Sequence, residues 1–90
     1  MTAVELAVEV AGWAGAILIL LGYLLVTTGK LTGTSPQYQW INVFGAAGFI
    51  VNGWWHDALP STVLNVIWMM IGGVALWRIW AKRKSSTSAT

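Results

Sequence analysis

The sequence predicts an all-α integral membrane protein, a bundle of three transmembrane helices, and three observations predict it. The chain is 57% hydrophobic and 9% charged, with a mean hydropathy of +0.68. So little charge cannot cover the surface of a water-soluble domain of 90 residues. Two short polar segments divide the apolar residues into three runs, each long enough for a spanning helix. No run alternates as a strand would, and unpaired strands are excluded from hydrocarbon by their unsatisfied backbone groups.

The first run predicts a span over residues 6–28, a helix of roughly 34 Å. Glu5 and Glu9 lie at its N-terminus, where the helix dipole favours negative charge. The absence of basic residues there argues against a cleaved signal peptide. Gly29 is predicted to end the helix as a C′ glycine. Small residues that allow close helix contact in lipid include Gly12, Gly15 and Gly22.

The second run predicts a span over residues 36–55, with Ser35 as its N-cap and Pro36 at the first helical position. Polar and small residues recur along it in steps of four, three, four and three, which keeps them on one narrow arc of a helix. This α2 seam consists of Tyr38, Asn42, Gly45, Phe49 and Asn52.

The third run predicts a span over residues 59–80, followed by a basic, disordered tail at residues 81–90. The same steps define an α3 seam of Ser61, Asn65, Trp68, Gly72 and Ala75. Because so short a connection makes the second and third helices antiparallel neighbours, an amide pair between Asn52 and Asn65 is predicted to be feasible.

The basic residues predict the orientation. Lys30 lies in the first loop and Arg78, Lys82, Arg83 and Lys84 lie at the C-terminal end, whereas the N-terminus and second loop have none. For three spans these two regions share a side, which should be cytoplasmic, so the N-terminus is outside and the C-terminus inside. Tryptophans flank both predicted interfaces, namely Trp54 and Trp55 outside and Trp40, Trp77 and Trp80 inside.

The composition excludes most chemistry. There is no cysteine, one histidine and three acidic residues, and no triad, phosphate loop or paired carboxylates can be assembled. We therefore predict no catalytic residues, no metal, no cofactor and no enzyme activity. The basic charge is concentrated at the C-terminal end and does not indicate nucleic-acid binding. His56 and Asp57 are predicted to be solvated turn residues, with Asp57 capping the third helix.

The three asparagines have two interpretations. They are either hydrogen-bonding glue between helices, or the lining of a site for a hydrogen-bonding solute. Trp68 lies near mid-depth, where its indole N–H needs an acceptor, and is either core packing or part of the same lining.

Residues 45–67, GAAGFIVNGWWHDALPSTVLNVI, resemble the second-to-third helix region of the SemiSWEET branch of the SWEET/PQ-loop transporters. The resemblance lies in the length, the three spans and the G…NG…LP…N skeleton. It implies a parallel homodimer around a central sugar site, with the site asparagine at Asn65 and the site aromatic residue at Phe49. The chain differs in having phenylalanine for tryptophan, and Gly22-Tyr23 where a Pro-Gln pair is expected.

The whole chain also resembles a group of uncharacterised bacterial three-helix membrane proteins. The shared features are Gly22-Tyr23, Ser35, Tyr38, Asn42 and Trp68. This resemblance implies a multi-pass protein of the bacterial cytoplasmic membrane.

Two functions are therefore expected. The first is a SemiSWEET-like half-transporter that moves a small uncharged solute as a homodimer. In that case Asn65 and Phe49 contact the solute, and Asn52, Trp68 and Asn42 extend the lining. The alternative is a non-catalytic accessory subunit packed in a larger membrane complex. In both cases the partners are membrane lipid and either a second copy or a larger membrane complex.

Overall fold

The computed structural model describes residues 2–89, with side chains for residues 2–84. It contains α1 (Ala3–Thr27), α2 (Pro36–Trp55) and α3 (Leu59–Ala89), which confirms the predicted all-α, three-helix class. Helix α2 packs along both α1 and α3, whereas no Cα atoms of α1 and α3 approach within 8 Å of each other in the described part of the chain. Helix α2 is therefore the central element.

The first helix is capped at both ends by local chemistry. The Thr2 hydroxyl accepts a hydrogen bond from the Glu5 N–H at 3.1 Å, a standard N-cap interaction. Gly29 follows the helix with φ +79°, as expected for a C′ glycine. Its N–H donates to the Val26 carbonyl at 3.1 Å. The helix begins three residues earlier than the predicted span of residues 6–28 because Thr2 provides this cap.

The second helix has the predicted bounds, with Ser35 at the N-cap and Pro36 in the first turn. The Ser35 hydroxyl makes no cap hydrogen bond and instead accepts from the Thr32 N–H at 2.9 Å. Asp57 does not cap α3, contrary to the prediction. It follows the C-cap His56 with φ +55° and donates its own N–H to the Trp54 carbonyl, so it terminates α2. Aspartate tolerates this left-handed conformation better than most residues.

The third helix begins at Leu59, as predicted, but continues to Ala89 rather than ending at Trp80. Residues 81–89 are therefore helical where the sequence predicted a disordered tail. The lysine and arginine residues that follow Ala81 are good helix formers, so they extend a helix that is already nucleated. Thr90 lies outside the described residues.

Two of the three helices are long and apolar enough to cross a membrane: α1 over Ala3–Thr27 and α3 over Leu59–Lys84. Only 11% of each apolar window is buried, so neither is the buried core helix of a soluble domain. Helix α2 has sufficient length but is not among them, because Gln37, Gln39, Asn42 and Asn52 lower its hydropathy.

Helices α1 and α2 touch through their backbones. A Cβ added to Gly15 would lie 2.7 Å from the Gly45 carbonyl oxygen. One added to Gly48 would collide with the Ala11 carbonyl oxygen and lie 3.2 Å from the Gly15 Cα. The α2 seam, with Gly45 at its centre, therefore faces α1, and glycine is required there because any side chain would separate the helices.

Helix α3 packs on a different face of α2. A Cβ on Gly53 would lie 2.5 Å from the Thr62 hydroxyl, and one on Gly72 would lie 3.0 Å from Val43 Cγ2. Thr62 is buried, and its hydroxyl donates to the Ala58 carbonyl at 2.9 Å. The seams predicted on α2 and α3 consequently do not face each other.

Replacing Gly48 with alanine should destabilise the α1–α2 contact by about 1–3 kcal/mol, because the new methyl group meets backbone that cannot rotate away. Gly73→Ala is the matched control, since no atom lies within 4 Å of its added Cβ. It should be neutral or stabilising by up to about 1 kcal/mol through helix propensity. Unfolding of both variants in detergent measures the difference, and equal effects would contradict the backbone contact.

Candidate functional site

Asn52 holds α1 and α2 together. Its amide nitrogen donates to the Val8 carbonyl oxygen of α1 at 3.1 Å, in a partly buried position. The amide lies directly over Gly12, where an added Cβ would be 2.6 Å from the same nitrogen. A small residue at position 12 is thus a condition for the hydrogen bond.

The Asn65 side chain is hydrogen-bonded within its own helix. Its amide nitrogen donates to the Ser61 carbonyl oxygen at 2.9 Å. The predicted Asn52–Asn65 pair is therefore wrong, because α2 turns Asn52 toward α1 while α3 packs on another face of α2. Two of the three asparagines are satisfied by backbone carbonyls of different helices, and they do not line a common site.

Asn42 differs from the other two asparagines. It is 6% exposed, near the fully buried Ala46. Within the described residues its side chain makes no hydrogen bond. Its amide atoms are not fully occluded, so they remain accessible to a hydrogen-bonding group. Asn42 therefore keeps hydrogen-bonding capacity at the centre of the protein.

Trp68 lies on the outer surface. The side chain is 44% exposed, so within one chain it is neither core packing nor part of an enclosed lining. The contact face of α3 instead contains the buried Thr62 and Gly72 with the half-buried Asn65, and Trp68 lies to one side of it. Of the predicted α3 seam, Asn65, Gly72 and Ala75 are buried or half-buried, whereas Ser61 and Trp68 are exposed.

A small cavity of about 220 Å³ lies against α1 and α2. It brings together two predicted site residues, Phe49 and Asn52, and adds the Glu9 carboxylate. The remaining lining residues are Gly12, Trp13 and Ala16. Asn65, Trp68 and Asn42 do not line it.

A hydrogen bond that the sequence does not predict links the α2–α3 turn to α1. His56 Nε2 lies 2.9 Å from Glu9 Oε1, with the two side chains 50% and 39% exposed. Pairs this exposed contribute little stability, so its main consequence is positional. Because Glu9 also lines the cavity, the contact with His56 fixes the position of a lining carboxylate. The sequence contained one signal for this contact, because both residues belong to the same predicted end of the bundle.

Comparison with known proteins identifies the family of this chain. Residues 8–84 match the model of one uncharacterised protein family, and the chain belongs to that family. No curated protein matches the chain. No solved structure matches it either.

The two asparagine contacts predict different mutational costs. Asn52→Ala should destabilise the protein by about 0.6–1.7 kcal/mol, because it removes a hydrogen bond between helices. Asn65→Ala removes only a bond within α3 and should cost less. The free energies of unfolding in detergent test this order, and a larger effect at Asn65 would refute the assignment of Asn52 as the interhelical link.

Proposed function

We propose that this protein is a non-catalytic accessory subunit of a larger complex in the bacterial cytoplasmic membrane, with three spans and an external N-terminus. One observation carries the proposal: the partly buried Asn52 amide is hydrogen-bonded to α1 and holds that helix against α2. The glycine contacts serve the same purpose. Polar and small residues are thus used to build a rigid unit with apolar outer faces.

The central position of α2 supports three spans. Helix α2 is antiparallel to both neighbours, because each loop is short, and packs along both. If α1 and α3 cross the bilayer, α2 crosses with them. Its 20 residues give roughly 30 Å, the thickness of the hydrocarbon core. Its asparagines are tolerated there because they are turned away from lipid, as the burial of Asn42 illustrates.

The charges support an external N-terminus. All three side-chain carboxylates, Glu5, Glu9 and Asp57, belong to the end that carries the N-terminus and the α2–α3 turn. All lysines and arginines belong to the opposite end. This separation follows the rule that basic residues are retained in the cytoplasm.

Single cysteines test the topology, because the natural chain has none. A membrane-impermeant maleimide should label Glu5→Cys and Ser61→Cys in cells with a permeabilised outer membrane and an intact inner membrane. Lys30→Cys should react only after the inner membrane is disrupted. If Ser61→Cys behaves like Lys30→Cys, α2 does not cross.

The outward-facing Trp68 supports association with another protein. Its depth places an indole N–H within the hydrocarbon, where lipid tails offer no acceptor. Within the described residues no hydrogen bond satisfies that N–H. A neighbouring membrane helix that presents a polar group would satisfy it, so we assign the partner contact to the face of α3 around Trp68.

A second candidate, a SemiSWEET-like homodimer that passes a small uncharged solute, is favoured by two observations. Phe49 and Asn52 line the cavity of about 220 Å³, and the Asn42 amide has no partner in the described structure. Three helices do not enclose a pathway, so this function requires a second copy to complete it.

Purification from native membranes distinguishes the two functions. The accessory role predicts a stoichiometric complex with a larger membrane protein. Trp68→Leu should weaken it severalfold, while Trp77→Leu, on the same helix and 63% exposed, should leave it intact. A dimer of this chain alone would contradict the accessory role and favour the second candidate.

A further inference from the structure

A groove of about 1060 Å³ runs along the C-terminal half of α3, beside the loop between α1 and α2. Its long wall is apolar and includes Ile67, Ile71 and Val74. Arg78, Lys82 and Arg83 line its far end, and Thr34 lies on the loop side. The groove therefore has an apolar body and a cationic end.

The apolar body has the length of one membrane leaflet. From Ile67 to Arg78 the helix rises roughly 16 Å, about half of the hydrocarbon core. The cationic end then lies at the cytoplasmic headgroup level, where Trp77 and Trp80 are also exposed. An acyl chain lying along this wall would place its headgroup at Arg78 and Lys82.

The chain has no carboxylate side chain to neutralise this end. Its three acidic side chains, Glu5, Glu9 and Asp57, belong to the opposite end of the bundle. Arg78 and Lys82 are one helical turn apart, and within the described residues neither makes a salt bridge or hydrogen bond. Two adjacent cations beside an apolar groove complement a phosphate that carries acyl chains.

We propose that this groove binds one anionic phospholipid of the cytoplasmic leaflet, with its phosphate at Arg78 and Lys82 and an acyl chain along Ile67, Ile71 and Val74. The inference rests on the membrane placement under the proposed function, but it does not depend on an accessory role. The lipid would occupy the space between α3 and the first loop and hold these two parts of the protein together.

Titration of the purified full chain in neutral detergent tests the charge requirement. Bound lipid is counted by native mass spectrometry, with phosphatidylglycerol and phosphatidylcholine as the probes. Phosphatidylglycerol should bind more tightly, and Arg78→Gln combined with Lys82→Gln should weaken its binding about tenfold or more. Lys30→Gln removes a charge from the same end of the bundle without touching the groove, and should have little effect.

A second pair of variants tests the acyl-chain position. Val74→Trp fills the groove while leaving both cations in place, and should abolish preferential binding of phosphatidylglycerol. Val63→Trp, at an exposed position of α3 outside the groove, should not. Glycerol phosphate, which has the charge but no acyl chain, should fail to compete at concentrations where the lipid saturates.

Three results would overturn the inference: equal binding of the two lipids, an effect of Lys30→Gln as large as that of the groove variants, or a partner protein that occupies the groove and is released by Val74→Trp. Competition by glycerol phosphate would show that the groove recognises a soluble phosphate and not a lipid. Release of the chain from membranes by carbonate without detergent would instead refute the membrane placement itself. Retention in the membrane without lipid preference would refute only the groove assignment.

Discussion

The direct contact between the backbones of α1 and α2 is the constraint on which the rest of the structure depends. Gly15, Gly45 and Gly48 leave no room for a side chain between the helices. In lipid, where apolar burial gives no net driving force between helices, such close packing supplies the attraction. It also brings the Asn52 amide within reach of the Val8 carbonyl. The hydrogen bond is a consequence of the glycine contact as much as a support for it.

Placing α2 between α1 and α3 reconciles its composition with a membrane environment. Three of the polar residues that lower its hydropathy, Gln39, Asn42 and Asn52, are buried or half-buried, whereas Gln37 is exposed. Gln39, for example, donates to the Gly33 carbonyl at 2.6 Å, and its side chain lies 3.5 Å from the position of a Cβ on Gly72. A helix of this kind would not insert stably on its own, whereas the flanking helices can.

The two ends of the bundle differ in charge and therefore in the contacts they can make. The acidic end is tied internally, since Glu9 pairs with His56 across the α1–α2 junction. At the basic end, Arg78, Lys82 and Arg83 line one end of an apolar groove.

The sequence by itself determined the helix count, the α2 bounds, the C′ role of Gly29 and the segregation of charge, because these depend on local chemistry and on order along the chain. It could not determine which face of α2 meets which neighbour. Identical four-three steps on α2 and α3 suggested that their seams meet, yet the α2 seam packs on α1, because Gly15, Gly45 and Gly48 allow the two backbones to touch. Steric fit between helices decides which face of α2 meets which neighbour. This arrangement separates Asn52 from Asn65 and leaves Trp68 on the outer surface.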